Sequence, residues 1–414
     1  MSEGKEKRKI PKVRFPSFTD DWEQRKLLDC IQKITDFRGR TPKKLGMDWS
    51  EEGYLALSAL NVKDGYIDFN QDVHYGNQEL YDKWMTGNEL HKGQVLFTTE
   101  APMGNVAQVP DNRRYILSQR VIALDVKDNL LTENFLATVL RTPTVFAYLT
   151  ALSSGGTAKG VSQKSLSSVE IRLPKNLKEQ EKIADTFSNL DHLITLHQRK
   201  LDDLKELKKG MRQRLFPKDG KNIPDLRFPG FNGAWERHTL NDVAKYRNGK
   251  AHENDIDAAG AYVVVNSKFV STNGTVQKFS NKQIEPLFKN EIAFVLSDVP
   301  NGRAIARTFL VDKDNTYTLN QRIAGITPLK NADPYFLYIL MNRNPYFLKF
   351  DDGVKQTNLS VKDVMQFVSF YPTYEEQKII GEYFENLDNL LLLQQKKIND
   401  LLELKKGLLQ QMFV

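Results

Sequence analysis

The sequence predicts an α+β protein of two like halves. Each half is an α+β body followed by one long helix, and the two helices pair as an antiparallel coiled coil. Three observations carry this: motifs that recur in one order, a heptad seam closing each half, and short β-rich runs alternating with capped helices between them.

The recurrence is the first. PKVRFPSF from Pro11, followed by Trp22-Glu23, returns as PDLRFPGF from Pro224, followed by Trp235-Glu236. LSQR ending at Arg120 returns as LNQR ending at Arg322. Glu179-Gln180 and FSNLD from Phe187 return as Glu376-Gln377 and FENLD from Phe384. ELKKG at 206–210 returns at 403–407. A unit of about 200 residues is a duplicated domain, not a solenoid repeat. The boundaries read as a basic, disordered tail at 1–14, a first body at 15–174, a helix at 175–217, a second body at 218–372 and a helix at 373–414. Residues 31–110 and 244–310 share almost no alignable identity. Similar frames with dissimilar middles suit a scaffold that presents two different binding surfaces.

The seam is the second. Ile183, Phe187, Leu190, Ile194, Leu201 and Leu204 step by fours and threes, with His197 filling the gap. Ile380, Phe384, Leu387, Leu391, Ile398 and Leu401 repeat the pattern with Gln394 in the same place. A polar seam residue fixes register at some cost in stability. The spacing continues through Leu207 and Met211, and through Leu404 and Leu408, which would turn the ELKKG lysines outward. Pro174 and Pro372 bar the helices from starting earlier. About thirty helical residues give a rod of about 45 Å. A narrow apolar stripe needs a partner, and the other rod supplies one; the plainer alternative packs each rod on its own body.

The middles are the third. Residues 93–99, 120–126, 261–265 and 291–296 read as strands. Helices are expected after Thr132, Thr142, Asp333 and Asn344, three of which precede a proline at the first helical position.

Chemistry is sparse. DPYF and NPYF lack the second proline of an amino-methyltransferase motif, and no Gly-rich turn precedes them, so capped helices explain them better. SSGGTAKG from Ser153 is no phosphate-binding P-loop. Pro110-Asp111 lacks a following Glu-x-Lys. The six histidines show no metal-ligand spacing. The single cysteine, Cys30, can form no internal disulfide, which fits a reducing cytoplasm. MSEGKEKRKIPK has no apolar run behind its basic residues, so no secretory leader is expected. The net charge of +7 splits along those boundaries, taking 175–223 and 224–372 for the middle join, as +4, −2, +4, +3 and −2. Most of the excess lies in the tail, so any nucleic-acid site must be a local patch.

These motifs, doubled and in order, resemble the specificity subunits of type I restriction–modification systems over nearly the whole chain. The resemblance implies that each body is a target recognition domain reading half of a split sequence in double-stranded DNA. It implies that the helices set the gap and that two methyltransferase subunits dock on this frame, joined by motor-nuclease (restriction) subunits. It implies a chain without catalytic or metal residues of its own. S-adenosylmethionine would belong to the methyltransferase subunits, and ATP and Mg to the motor-nuclease subunits. Half-sites on one face of DNA lie about 34 Å apart per helical turn, so four residues inserted near Asp202 should widen the gap and leave the halves unchanged.

Candidate DNA contacts are basic and amide residues expected in loops. In the first body they are Arg38, Arg40, Lys43, Lys44, Arg113, Arg114 and Lys159; in the second they are Arg247, Lys250, Lys268, Lys278, Lys282, Arg303, Arg307, Lys355 and Gln356. Asn61, Asn105 and Asn266 are candidates for adenine edges. Gln119-Arg120 and Gln321-Arg322 recur in both halves and so cannot encode different sequences; a structural or phosphate-holding role fits them. Outer helix faces and the RFP-x-F…WE segments are candidate docking surfaces, although Phe15, Phe18 and Trp22 fit core positions better. Two rivals remain: a coiled-coil scaffold that binds proteins without reading DNA, and a fused nuclease–methyltransferase.

Overall fold

The computed structural model describes residues 10–153, 160–218, 220–300 and 302–413. Two compact units emerge: Met1–Gln198 with Lys396–Val414, and Arg199–Gln395. Each takes the first part of its own long helix and the last part of the other's.

Both units carry the same framework. In the first, a four-stranded antiparallel sheet has the order 31–36, 121–126, 95–98, 106–108. In the second, the order is 244–248, 323–328, 292–295, 308–310. A smaller sheet adds one parallel pairing in each, Tyr54–Leu57 with Ile116–Leu117 and Tyr262–Val265 with Tyr317–Leu319. The middles that sequence could not align therefore share the order of the main sheet, while the smaller sheet has three strands in the first unit and four in the second. The strand after each Trp-Glu pairs with the strand before each long helix: Glu23–Lys26 with Glu170–Leu173, and Glu236–Thr239 with Val368–Tyr371.

The four capped helices form where the cap residues predict. Thr132, Thr142, Asp333 and Asn344 each accept a backbone N–H of the following first turn, satisfying a donor with no helical partner. No single helix among the described residues is long and apolar enough to cross a membrane. The bent pair Glu133–Leu140 and Pro143–Leu152 passes that test by length and composition, but Phe135, Leu136, Val145 and Leu149 from it are core residues of the first unit.

The long helices run Leu177–Leu215 and Tyr374–Gln411, 39 and 38 residues. That exceeds the thirty or so expected, and Gly210 and Gly407 lie inside them without a break. In the first unit Phe187 lies 5.9 Å from Phe413 while Asp191 bonds Lys405. In the second, Phe216 lies 6.1 Å from Phe384 while Lys208 bonds Asp388. One index falls as the other rises, so the segments are antiparallel. Ile183, Phe187, Leu190, Leu201, Ile380, Phe384, Leu387, Gln394 and Ile398 are buried. Ile194, His197, Leu204, Leu391 and Leu401 are half-buried.

Two expectations need correction. Leu207 and Leu404 are 45 % and 50 % exposed. The seam instead steps from Leu204 to Lys208 to Met211, and from Leu401 to Lys405 to Leu408. The first lysine of each ELKKG thus faces the opposite helix, where a carboxylate neutralises it. The last residues of the expected disordered tail are held in place. Pro11 is buried, the Val13 N–H donates to the Gln411 carbonyl at 3.0 Å, and Arg14 binds Glu179 through two bonds at 2.7 and 2.9 Å.

Candidate nucleic-acid interface

The doubled motifs hold the frame from inside. Arg14 and Glu179 form a two-pronged ion pair, and Arg227 and Glu376 repeat it at 2.7 Å for both bonds. Glu179 and Glu376 are 1 % and 0 % exposed. A buried carboxylate needs such a partner, because an unpaired buried charge is costly. The next residue fastens backbone. Gln180 accepts the Thr132 N–H and donates to the carbonyls of Leu130 and Pro174. Gln377 accepts the Asp333 N–H and donates to those of Asn331 and Pro372. Trp22 and Trp235 are core residues, and Phe15 and Phe228 pack against the same two cores, so these aromatics of the RFP-x-F…WE segments are fastenings.

Exposed loops project from this frame. In the first unit Thr41 caps a short turn, Pro42–Leu45, and Gly46 closes it with φ 71°. Within it Arg38 is held by Asp36 at 2.6 Å and reaches the Val161 carbonyl at 3.3 Å. Burial raises the Asp36 pKa, but the bonds from Arg38 outweigh that and hold it below the usual carboxylate range. Arg40 folds inward, its guanidinium 4.3 Å from the Phe37 ring and bonded to the Trp84 carbonyl. Lys44 bonds the Gly39 carbonyl, and Lys43 is exposed. Of the expected Arg-Gly-Arg cluster, only the lysines and part of Arg38 face solvent. Arg113 is exposed but paired with Asp111 at 2.9 Å, and Arg114 lies over Tyr81. Lys159 lies outside the described residues.

In the second unit two loops are zipped together. Ser297 pairs with Asn358 and Asp298 with Thr357. Asp298 accepts the N–H groups of Val299, Ala304 and Ile305, while Asp352 accepts those of Val354 and Lys355. This rigid pair presents Arg303, Lys355 and Gln356 beside the apolar tips Val299 and Val354, 64 % and 76 % exposed. Arg307, half-buried, donates to the Arg303 carbonyl. Gln356 donates to Ser297 at 2.8 Å. Lys268 and Lys278 are exposed elsewhere. Lys250 and Lys282 are exposed but paired with Glu285 and Asp255.

Several candidates are corrected. Asn61 is fully buried; its amide accepts the Ser58 N–H and donates to the carbonyls of Asp68 and Gln71. It has no edge left for a base. Arg247 is locked between Glu291 and Glu285 and also bonds the Pro286 carbonyl. Burial pushes Glu291 up, yet the bonds from Arg247 and Thr327 leave it below its ordinary pKa. Asn105 donates to the Val62 carbonyl, and Asn266 caps the helix Ser267–Ser271; both are half-buried. Gln119-Arg120 and Gln321-Arg322 sit at the corresponding bend of each unit, with Arg120 paired to Glu100 at 3.1 Å and Gln321 to Glu253.

One grouping had no sequence signal. His91, Asp125 and Glu133 bring ligand atoms within 4.8 Å of one another, although 34 and 42 residues separate His91 from the two acids. The His91 ring lies 2.7 Å from Glu133, whose pKa burial raises.

The family model for the type I restriction modification DNA specificity domain matches residues 19–206 and again 232–404. The chain belongs to that family. It is a specificity subunit of the type I restriction–modification class, an α+β protein with the domain present twice. It is 24 % identical to the type I restriction enzyme MjaVIII specificity subunit of Methanocaldococcus jannaschii, over 94 % of this chain and 91 % of that one. The MjaIX specificity subunit of the same organism is 23 % identical, over 77 % and 76 %. Among solved structures, a type I S subunit from M. genitalium shares the fold with a TM-score of 0.66 and 17 % identity, covering 98 % of this chain and 99 % of that one. A chain from a study of complex assembly and conformational transition of the type I system has a TM-score of 0.51 and 16 % identity, covering 95 % and 97 %.

Proposed function

We propose that this specificity subunit reads a bipartite target in double-stranded DNA. Each unit contacts one half, and the helix pair sets the gap between them. The observation that carries the reading is one frame built twice, with different exposed loops on each copy. Fastenings such as Arg14–Glu179 and Arg227–Glu376 are identical between units. By contrast, the residues on corresponding loops differ: the basic turn at 38–44 answers to an acidic one at Glu253–Asp255, and the loop pairing made by Glu100 and Gly160 in the first unit is made by Ser297 and Asn358 in the second. Two copies of one framework suit two copies of one partner, so the frame docks two methyltransferase subunits, which restriction subunits join. The chain itself is non-catalytic and works in the cytoplasm. S-adenosylmethionine is bound by the methyltransferase subunits, and ATP with Mg by the restriction subunits.

The test is DNA affinity as a function of salt, with the assembled methyltransferase complex on its target and on scrambled DNA. We expect log K to fall linearly with log salt, because phosphate contacts release counterions, and a preference for the target that persists at each salt. A chain that assembles its partners but confers neither salt-sensitive binding nor preference is a protein scaffold, and the reading is wrong. Lys355→Ala with Gln356→Ala should weaken discrimination at one half-site by roughly 1–3 kcal/mol per lost base contact and leave the other half unchanged. Methylation patterns from the variant check this directly.

A further inference from the structure

A cleft of about 970 Å³ in the second unit lies between the end of the first long helix, the bend 340–349 and the strand Val368–Tyr371. Its lining includes seven lysines and arginines and no carboxylate. Three of the seven have carboxylates behind them: Lys205 with Asp202, Lys208 with Asp388, and Lys218 with Asp225. Lys209, Arg212, Arg343 and Lys349 have none among the described residues.

The duplication supplies a control. The first unit has its own cleft at the corresponding place, about 770 Å³, lined by Gln410 and Phe413 where the second has Gln213 and Phe216. Its lining is nearly neutral, with Lys12 and Arg172 against Glu170. Aligning the ELKKG copies sets Arg212 against Leu409, which packs on the first core. The helix frame therefore accepts leucine where the second unit holds a guanidinium. Arg212 bonds only the Asn342 carbonyl, and burial lowers its pKa. Aligning the Thr142-Pro and Asn344-Pro bends sets Lys349 against Ala147. The bend before each proline holds Arg141 in the first unit and Arg343 in the second. Arg141 is held by Asp64 and Asp191 at 2.5 and 2.7 Å, whereas Arg343 reaches only the Ile305 carbonyl. Arg212 and Arg343 are half-buried and cost stability without a counter-charge, while Lys209 and Lys349 are exposed cations on the same lining. Their concentration in one cleft is what an anion would offset.

We propose that this cleft binds a ligand carrying a di- or triphosphate group. Four cations without a carboxylate partner among the described residues match such a charge, although Lys349 also lies 4.1 Å over the Tyr346 ring, and arginine forks suit phosphate oxygens. The half-enclosed volume fits a small molecule. Phe216, Tyr346 and Phe370 are also in the lining, and a base stacked on one of them makes a nucleoside polyphosphate the fuller form. The proposal does not depend on half-site reading.

Calorimetric titration of the full chain with sodium tripolyphosphate, ATP and a short duplex at 150 mM salt tests it. We expect saturable binding of tripolyphosphate, at least tenfold weaker in the exposed double variant Lys209→Glu/Lys349→Glu. Arg212→Leu, which restores the sister helix's residue, should also weaken binding at least tenfold without lowering the melting temperature. Tighter ATP than tripolyphosphate supports a nucleoside contact; equal affinity supports the polyphosphate alone. Absence of binding by either, or affinity unchanged in both variants, overturns the proposal. So does binding confined to the duplex and weakened by the same variants, which would make the cleft part of a DNA surface.

Discussion

Lys405 meets Asp191 at 2.6 Å and Lys208 meets Asp388, so the two short motifs NLD and ELKKG are the two ends of one contact made twice. Sequence showed both motifs doubled but assigned the lysines to solvent, because a strict heptad count put the leucines inward. The helices step by four at that point, and a long lysine stem can lie along the seam while its ammonium finds a carboxylate. Side chains of Lys405 and Asp191 are 13 % and 25 % exposed, so solvent screens the pair only partly. A double-mutant cycle on Lys405→Ala and Asp191→Ala should give a coupling of about 1–2 kcal/mol in urea unfolding. Zero coupling would make the contact incidental. Tyr338 offers a pH test. Burial, then the nearby Asp388, raises its pKa to about 12, against lowering by Arg212 and Arg307. The unfolded value is near 10, so the folded pKa is the higher. Its contribution is full below pH 10 and is lost as pH rises from about 10 through about 12. Tyr338→Phe should therefore flatten the decline of second-unit stability in that window, read by urea midpoints at each pH.

Among elements, helix starts were the most legible. Thr132, Thr142, Asp333 and Asn344 all became caps, since a short polar side chain before the first turn, reinforced at three sites by proline, needs no tertiary information. The middle strands were legible one at a time but not as a shared topology. Strand order is set by pairing between distant segments, and different side chains can fill the same layer. For the same reason the burial of Asn61 and the ion-pairing of Arg247 were hidden: nothing local distinguishes a loop asparagine that staples two carbonyls from one that faces solvent. The Glu-Gln pairs were legible as repeats but not as fasteners. Gln377 satisfies three backbone groups, so Gln377→Leu should cost about 2–4 kcal/mol, each orphaned group contributing about 1 kcal/mol. Gln180→Leu should cost a similar amount in the first unit. Urea unfolding monitored per unit checks both, and a loss below 0.5 kcal/mol would show that solvent replaces the bonds.

At the level of the whole molecule, duplication makes each unit a control for the other. Features held in common, such as the ion pairs and the Gln fasteners, belong to the frame. Features that differ, the side chains on the basic turn and on the paired loops and the second unit's cationic cleft, are what the proposed reading assigns to each half. On the proposed reading, a change in helix length should act on the gap alone. The most direct measurement is methylome sequencing of a host carrying the partner subunits with either the native chain or a variant lengthened by four residues beside Asp202 and again beside Asn399, its counterpart in the second helix. The native chain should methylate a split motif, and the variant should methylate the same two halves with a longer gap. Methylation of the unchanged spacing, or of altered half-sites, would contradict the claim that the bodies read and the helices measure.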